Sequence, residues 1–149
     1  MIVQSRISEL QDELKSLYVT PGVRQIIQSP EQAATPVLYE MSALDQEELW
    51  TGLVNTRNAL VGIHRVYRGS LNTATVRAGE IFRLAILENA ASIIVYHNHP
   101  SGDPTPSVED IALTRALVQA GKLLDIEMLD HIVVSGGQFV SMKERGLGF

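Results

Sequence analysis

The chain has 149 residues, 45% of them hydrophobic, with a formal net charge of −5 and a pI near 5.3. That length suits one compact domain with a short appendage, and the apolar content excludes a disordered chain. No apolar run reaches the roughly 20 residues a membrane helix needs, and no basic stripe is present, so a membrane protein is excluded and tight binding to a phosphate backbone is disfavoured.

In chain order, Ile7, Leu10, Leu14 and Leu17 recur at helical spacing and predict an amphipathic helix over 5–19, ending before Pro21. Charges among its apolar residues distinguish this stretch from a signal or transit peptide, so a cytoplasmic location is expected. Residues 20–28 read as a connector. Ser29 and Pro30 then form a helix start, N-cap followed by proline at the first helical position, for a helix towards Leu44 that Pro36 kinks or divides. LWTGLVN and ALVGIHRVYRG predict two strands joined at Thr56, Arg57 and Asn58, and NTATV a short third strand. GEIFRLAILEN predicts a helix, ASIIVY a short strand buried on both faces, and SVEDIALTRALVQAGKLL a helix closed at or just after Gly121. IEMLDHIVVS and QFVSM predict a closing hairpin across Gly136 and Gly137. The order of strands and helices is that of a mixed α/β domain.

The stretch VYHNHPSGDPTPSVED carries the chemistry. Residues two apart on a strand share a face, with Cα atoms roughly 6.5 Å apart, so His97 and His99 can converge on one ion at the strand end while Asn98 faces the other way. The chain has no cysteine, so a transition metal must be held by His, Asp and Glu. Pro100, Pro104 and Pro106 stiffen the loop that follows, which brings the next helix back towards the strand at low entropic cost. In the first turn of that helix Asp110 can supply a third, oxygen ligand. Two histidines and one carboxylate leave a position for water, the pattern of a catalytic zinc site. Glu47 and Glu48, just ahead of the first strand, offer a general base.

Simpler readings run alongside. Ser107 and Asp110 also fit a capping-box helix start that needs no metal, and the two roles are compatible. Glu47 and Glu48 read equally as solvated residues between a helix and a strand. His131 reads as a satisfied strand histidine and His64 as a surface or edge residue.

H-x-H followed by ten residues and an aspartate, with proline after the second histidine and serine three before the aspartate, resembles the JAMM signature of the JAB/MPN metalloprotein superfamily. The longer text HNHPSGDPTPSVED, with GKLL, LDHIVVS and SMKERGL downstream and GSLNTATVRAGEIFRLAILENAASIIVYHNHP upstream, resembles the RadC family within it. The resemblance covers about 29–149. It implies a RadC-like JAB/MPN domain there, a cytidine-deaminase-like α/β/α sandwich with a mixed sheet, while the helical spacing of the first residues makes 1–28 an N-terminal helical arm. It implies Zn2+ held by His97, His99 and Asp110, with Ser107 stabilising an oxyanion. Counting back from Asn55-Thr56-Arg57-Asn58 gives Glu47 the acid/base position, with Glu48 one step away.

The expected function is a zinc-dependent hydrolase of the JAMM type, cleaving a peptide or isopeptide bond of a peptide or protein substrate with a metal-activated water. The alternative is a RadC-like module in DNA repair, recombination or partner binding, with a structural metal. The family's usual helix-hairpin-helix segment has no counterpart in the first 28 residues, and the first helix is expected to pack on the domain or on a second copy, as in a homodimer. A zinc nucleobase deaminase would need a cysteine pair. In HNH nucleases the three residues are spread along a ββα unit, not consecutive as here.

Overall fold

The computed structural model describes residues 2–16 and 25–149, and in the first helix the side chains of 3–10. In chain order the elements are α1 (Ile2–Ser16), β1 (Gln25–Ile26), α2 (Pro30–Ser42), β2 (Glu48–Val54), β3 (Ala59–Arg68), α3 (Ala78–Leu87), β4 (Ser92–Asn98), α4 (Val108–Leu124), β5 (Glu127–Ser135) and β6 (Gln138–Ser141). The six strands form one mixed sheet in the order β1-β3-β2-β4-β5-β6. All neighbours are antiparallel except β4 and β5, whose parallel pairing is made possible by the α4 crossover.

Alternation along the strands builds a core on each face of the sheet. Leu49, Leu53, Ile93 and Val95 face Ile81, Phe82 and Ala85 of α3 and Leu113 and Leu117 of α4. Trp50, Val54, Ile94, Tyr96, Ile132 and Val134 face Ala33, Ala34, Val37 and Met41 of α2. His97 continues the first series and Asn98 the second, so the strand's own period sends these neighbours to opposite faces.

Most sequence expectations match the fold, and the differences have local causes. Ser29 caps α2, its hydroxyl accepting from the Gln32 N–H at 3.2 Å. The helix runs through Pro36 undivided, held by the burial of Val37 and Met41 on either side of the turn that follows. NTATV is a turn instead of a strand, because the Asn72 carboxamide accepts from the Ala74 and Thr75 N–H groups at 2.9 and 3.0 Å. Gly121 lies within α4, where a methyl would collide with the Ile126 carbonyl; the helix ends at Asp125, whose φ is 55°. Gly136 and Gly137, with φ of 58° and 77°, make the tight β5–β6 turn. The two-residue β1 lies in the stretch read as a connector.

The first helix begins earlier than expected and is described to Ser16, so the expected helical position of Leu17 and the expected end before Pro21 lie outside the described residues. Its Val3, Ile7 and Leu10 are exposed, so packing of this face on the domain is not seen among the described residues.

Candidate metal centre

The site forms where β4 ends, α4 begins and the chain enters β2. The register Leu49↔His97 brings the start of β2 beside the first histidine. His99, just past the strand, keeps its place through its N–H, which donates to the Val134 carbonyl at 2.8 Å, and through its carbonyl, which accepts from the Ser135 hydroxyl. The His97 and His99 rings meet edge to face with centroids 4.7 Å apart. One donor atom each from Glu47, His97 and His99 lie within 4.8 Å of one another, a group able to hold a metal ion.

Asp110 completes the cluster from the first turn of α4. Its Oδ1 lies 3.0 Å from His97 Nδ1 and its Oδ2 lies 3.1 Å from His99 Nε2. Ser107 and Asp110 also form a full capping box: the Asp110 N–H donates to the Ser107 hydroxyl at 3.1 Å, and the Ser107 N–H donates to Asp110 Oδ2 at 2.7 Å. The capping reading of this pair holds, and the same carboxylate also faces both imidazoles. The cap fixes the rotamer that turns the carboxylate towards the imidazoles.

Each imidazole nitrogen of the pair faces an acceptor. His97 Nε2 is 3.3 Å from Glu47 Oε1 and its Nδ1 faces Asp110, while His99 Nδ1 is 3.0 Å from the Asp103 carbonyl and its Nε2 faces Asp110. A neutral imidazole offers one donor and one lone pair. Two neutral rings would thus set lone pairs against oxygen acceptors, a carboxylate in the case of His97. The cluster is short of positive charge, which either added protons or a divalent cation can supply.

Two further observations point the same way. His97 Nδ1 is buried and, though close to Asp110, not aligned for a hydrogen bond, so it has no hydrogen-bond partner. Burial opposes a charge on His97, yet the Asp110 and Glu47 carboxylates outweigh it and raise its pKa. Asp110 is the converse: burial works against its charge, but the two imidazoles hold it well below the usual carboxylate range. The Glu47 carboxyl is likewise lowered, first through its contact with His97. A proton on His97 stands where a cation would compete for the same electrons. Two imidazoles and a carboxylate fit zinc, which takes nitrogen and oxygen donors.

Glu48 goes to the opposite face. It is buried, its Oε1 accepting from Trp50 Nε1 at 3.0 Å and lying 3.9 Å from Arg65 Nε. Of the two glutamates only Glu47 meets the histidines.

Sequence reasoning gave no role to Asn98, whose side chain bonds to the backbone of the Gln46–Glu48 segment, or to Thr114. The Thr114 hydroxyl donates to the Asp110 carbonyl at 2.7 Å and so accepts from His131 Nδ1 at 2.6 Å. Only the amide between two histidines hinted at the first, and nothing in the spacing hinted at the second. His131 is fully buried, its ring 6.0 Å from that of His97. His64, expected at a surface or edge, is instead 5% exposed, because β3 is covered on that face.

Burial pushes the His131 and His64 imidazoles down from 6.5, to about 3 and about 4. Above pH 6.5 both are neutral folded or unfolded. Below it the unfolded chain binds protons that the folded chain does not, so stability falls as pH drops from 6.5 towards 4. For His64 the loss should reach roughly 2–3 kcal/mol near pH 4.5. Urea midpoints measured between pH 7 and about 4.5 should fall for the parent and less for His64→Gln; equal pH slopes would remove His64 from the effect.

With this geometry in hand, comparisons supply a family. Residues 27–147 match the family model described as RadC-like JAB domain. The chain is 58% identical over 123 residues to a UPF0758 protein of Chloroflexus aurantiacus, covering 83% of this chain and 54% of that protein. It is 57% identical over 126 residues to one of Roseiflexus sp., covering 85% and 54%, and 51% identical over 121 residues to one of Clostridium beijerinckii, covering 81% and 53%. The chain spans about half the length of the curated relatives it matches. Among the described residues no helix is long and apolar enough to cross a membrane. The chain belongs to the RadC-like JAB domain family.

Proposed function

We propose that the chain is a zinc-dependent hydrolase of the JAMM type, cleaving an amide bond of a peptide or protein, with the layered fold of the cytidine-deaminase-like α/β/α sandwich. One observation carries the reading: two histidines, Asp110 and Glu47 converge at a strand end with more acceptors than protons to satisfy them. A purely structural metal would close its fourth position with a protein ligand such as Glu47, whereas in this reading half-exposed Glu47 stays off the ion as a proton carrier and leaves that position to water.

His97, His99 and Asp110 would hold the ion. When bound, zinc supplies Lewis acidity, which lowers the pKa of a water from 15.7 to about 7. Glu47, a carboxylate whose contact with His97 favours its charged form, takes a proton from the attacking water as the water oxygen bonds to the amide carbon. The same carboxyl returns that proton to the nitrogen as the C–N bond breaks. The Ser107 hydroxyl, which accepts from the Asp110 N–H, keeps its own O–H to donate to the carbonyl oxygen as charge grows there; one such donor is worth about 3 kcal/mol. Capping thus aims the serine as well as the aspartate.

The test is turnover of a peptide mixture by zinc-loaded protein, read by mass spectrometry. New N-termini should appear, vanish on chelation and return with added zinc. A protein that holds one zinc per chain and cleaves no peptide or isopeptide bond would favour a binding module with a structural metal.

A further inference from the structure

We infer that Asn98 is the positioning residue for Glu47, its side-chain amide extending the β2–β4 ladder by one rung and holding the segment that presents Glu47 to the histidines. The β2–β4 ladder ends towards the site at Leu49↔His97. Beyond that rung, Asn98 Oδ1 accepts from the Glu48 N–H at 2.6 Å and Asn98 Nδ2 donates to the Gln46 carbonyl at 2.9 Å. The two bonds bracket Glu47. Asn98 is 1% exposed, so neither bond competes with solvent.

A carboxamide carries the donor and acceptor of a peptide group, and here it acts as one further rung of the ladder. From the β3 side the Gly69 N–H donates to the Glu47 carbonyl at 2.8 Å. The Glu47 backbone is therefore held from both neighbouring strands. Because side chains alternate, this register sends Glu47 to His97 and Glu48 to Trp50 and Arg65. A one-residue slip would exchange them, setting Glu48 at the histidines and Glu47 beside Trp50 and Arg65.

The chemistry admits few substitutes. Aspartate would keep the bond from the Glu48 N–H but set a second acceptor against the Gln46 carbonyl. Glutamine is a methylene too long for the gap and serine too short. One three-residue stretch thus supplies two donors for an ion on one side and, on the other, the clamp that presents the fourth group.

The catalytic consequence rests on Glu47 as the proton carrier; the clamp itself does not, and the test separates them. The full chain is prepared as parent, Asn98→Ala, Asn98→Asp, Glu47→Ala and the Asn98→Ala/Glu47→Ala double variant. In metal-free protein the His97 Nε2–H facing Glu47 should give an imidazole N–H signal protected from solvent exchange in 15N-edited NMR, lost in Glu47→Ala and in both Asn98 variants. In zinc-loaded protein, zinc per chain should be unchanged. On a peptide that the parent cleaves, Asn98→Ala should lower kcat about tenfold or more with KM within about twofold, and should add little to Glu47→Ala. A protected signal persisting in both Asn98 variants overturns the assignment, as does additivity in the double variant. Failure of both Asn98 variants to fold would also overturn it, in favour of a structural role. If the parent cleaves nothing, the hydrolase reading fails while the NMR result still decides whether Asn98 holds Glu47.

Discussion

Asp110→Ala is expected to strip the purified protein of zinc, with affinity reduced at least about a hundredfold, since loss of even a supporting partner of a ligand costs 10–100-fold. Asp110 touches both rings, at 3.0 and 3.1 Å, and it is 2% exposed, so no solvent molecule can easily take its place. The same change breaks the capping box, at a cost of about 1 kcal/mol, and this must not be mistaken for loss of a ligand. Asp110→Asn separates the two. Its amide oxygen can still accept from the Ser107 N–H, so the cap and the melting temperature should be largely kept while the charge that offsets a cation is gone. Zinc content by mass spectrometry and melting curves with and without added zinc decide the matter. Full zinc occupancy in Asp110→Asn would leave Asp110 as a helix cap alone.

Glu47→Gln should have the opposite signature: zinc retained, hydrolysis lowered by about 10²–10⁴-fold, the usual worth of a positioned acid/base. The amide keeps the size of the carboxylate and can still meet His97 Nε2, so the geometry survives while the proton carrier is removed. The loss should fall on kcat, because the interaction is made as the proton moves and not when substrate binds. Parent-level activity in this variant would remove Glu47 from the chemistry and leave the site without a base among its known neighbours.

Much of the fold was legible because its signals are local. Ser29-Pro30, the continuous apolar run of β4, the apolar period of α4 and the paired glycines before β6 each carry their own physical cause, and each element formed where expected. NTATV misled because threonine and valine favour strands while the decision lay with one asparagine that bonds back to its own turn. The end of α4 at Leu124 falls just after Gly121 as expected, although the glycine's own reason is a tertiary contact, the Ile126 carbonyl, which no local pattern reveals.

The site was legible to the same extent. His97, His99 and Asp110 sit close in sequence on a strand, a loop and a helix start, so period and spacing predict their convergence. Glu47 is fifty residues away, and its choice over Glu48 depends on strand register, a non-local property. The burial of His64 and the role of Thr114 as partner of His131 were missed for one reason: burial of a polar side chain depends on what covers it, and a single sequence does not state that.

The most direct test of the metal centre is a crystal structure of zinc-loaded protein with anomalous scattering recorded at the zinc edge. The account predicts one peak per chain within about 2.0–2.2 Å of a nitrogen of His97, a nitrogen of His99 and an oxygen of Asp110, with Glu47 outside bonding distance and one position left to solvent. A zinc ion that takes Glu47 as a ligand and closes the fourth position, or one that binds away from these side chains, would contradict it.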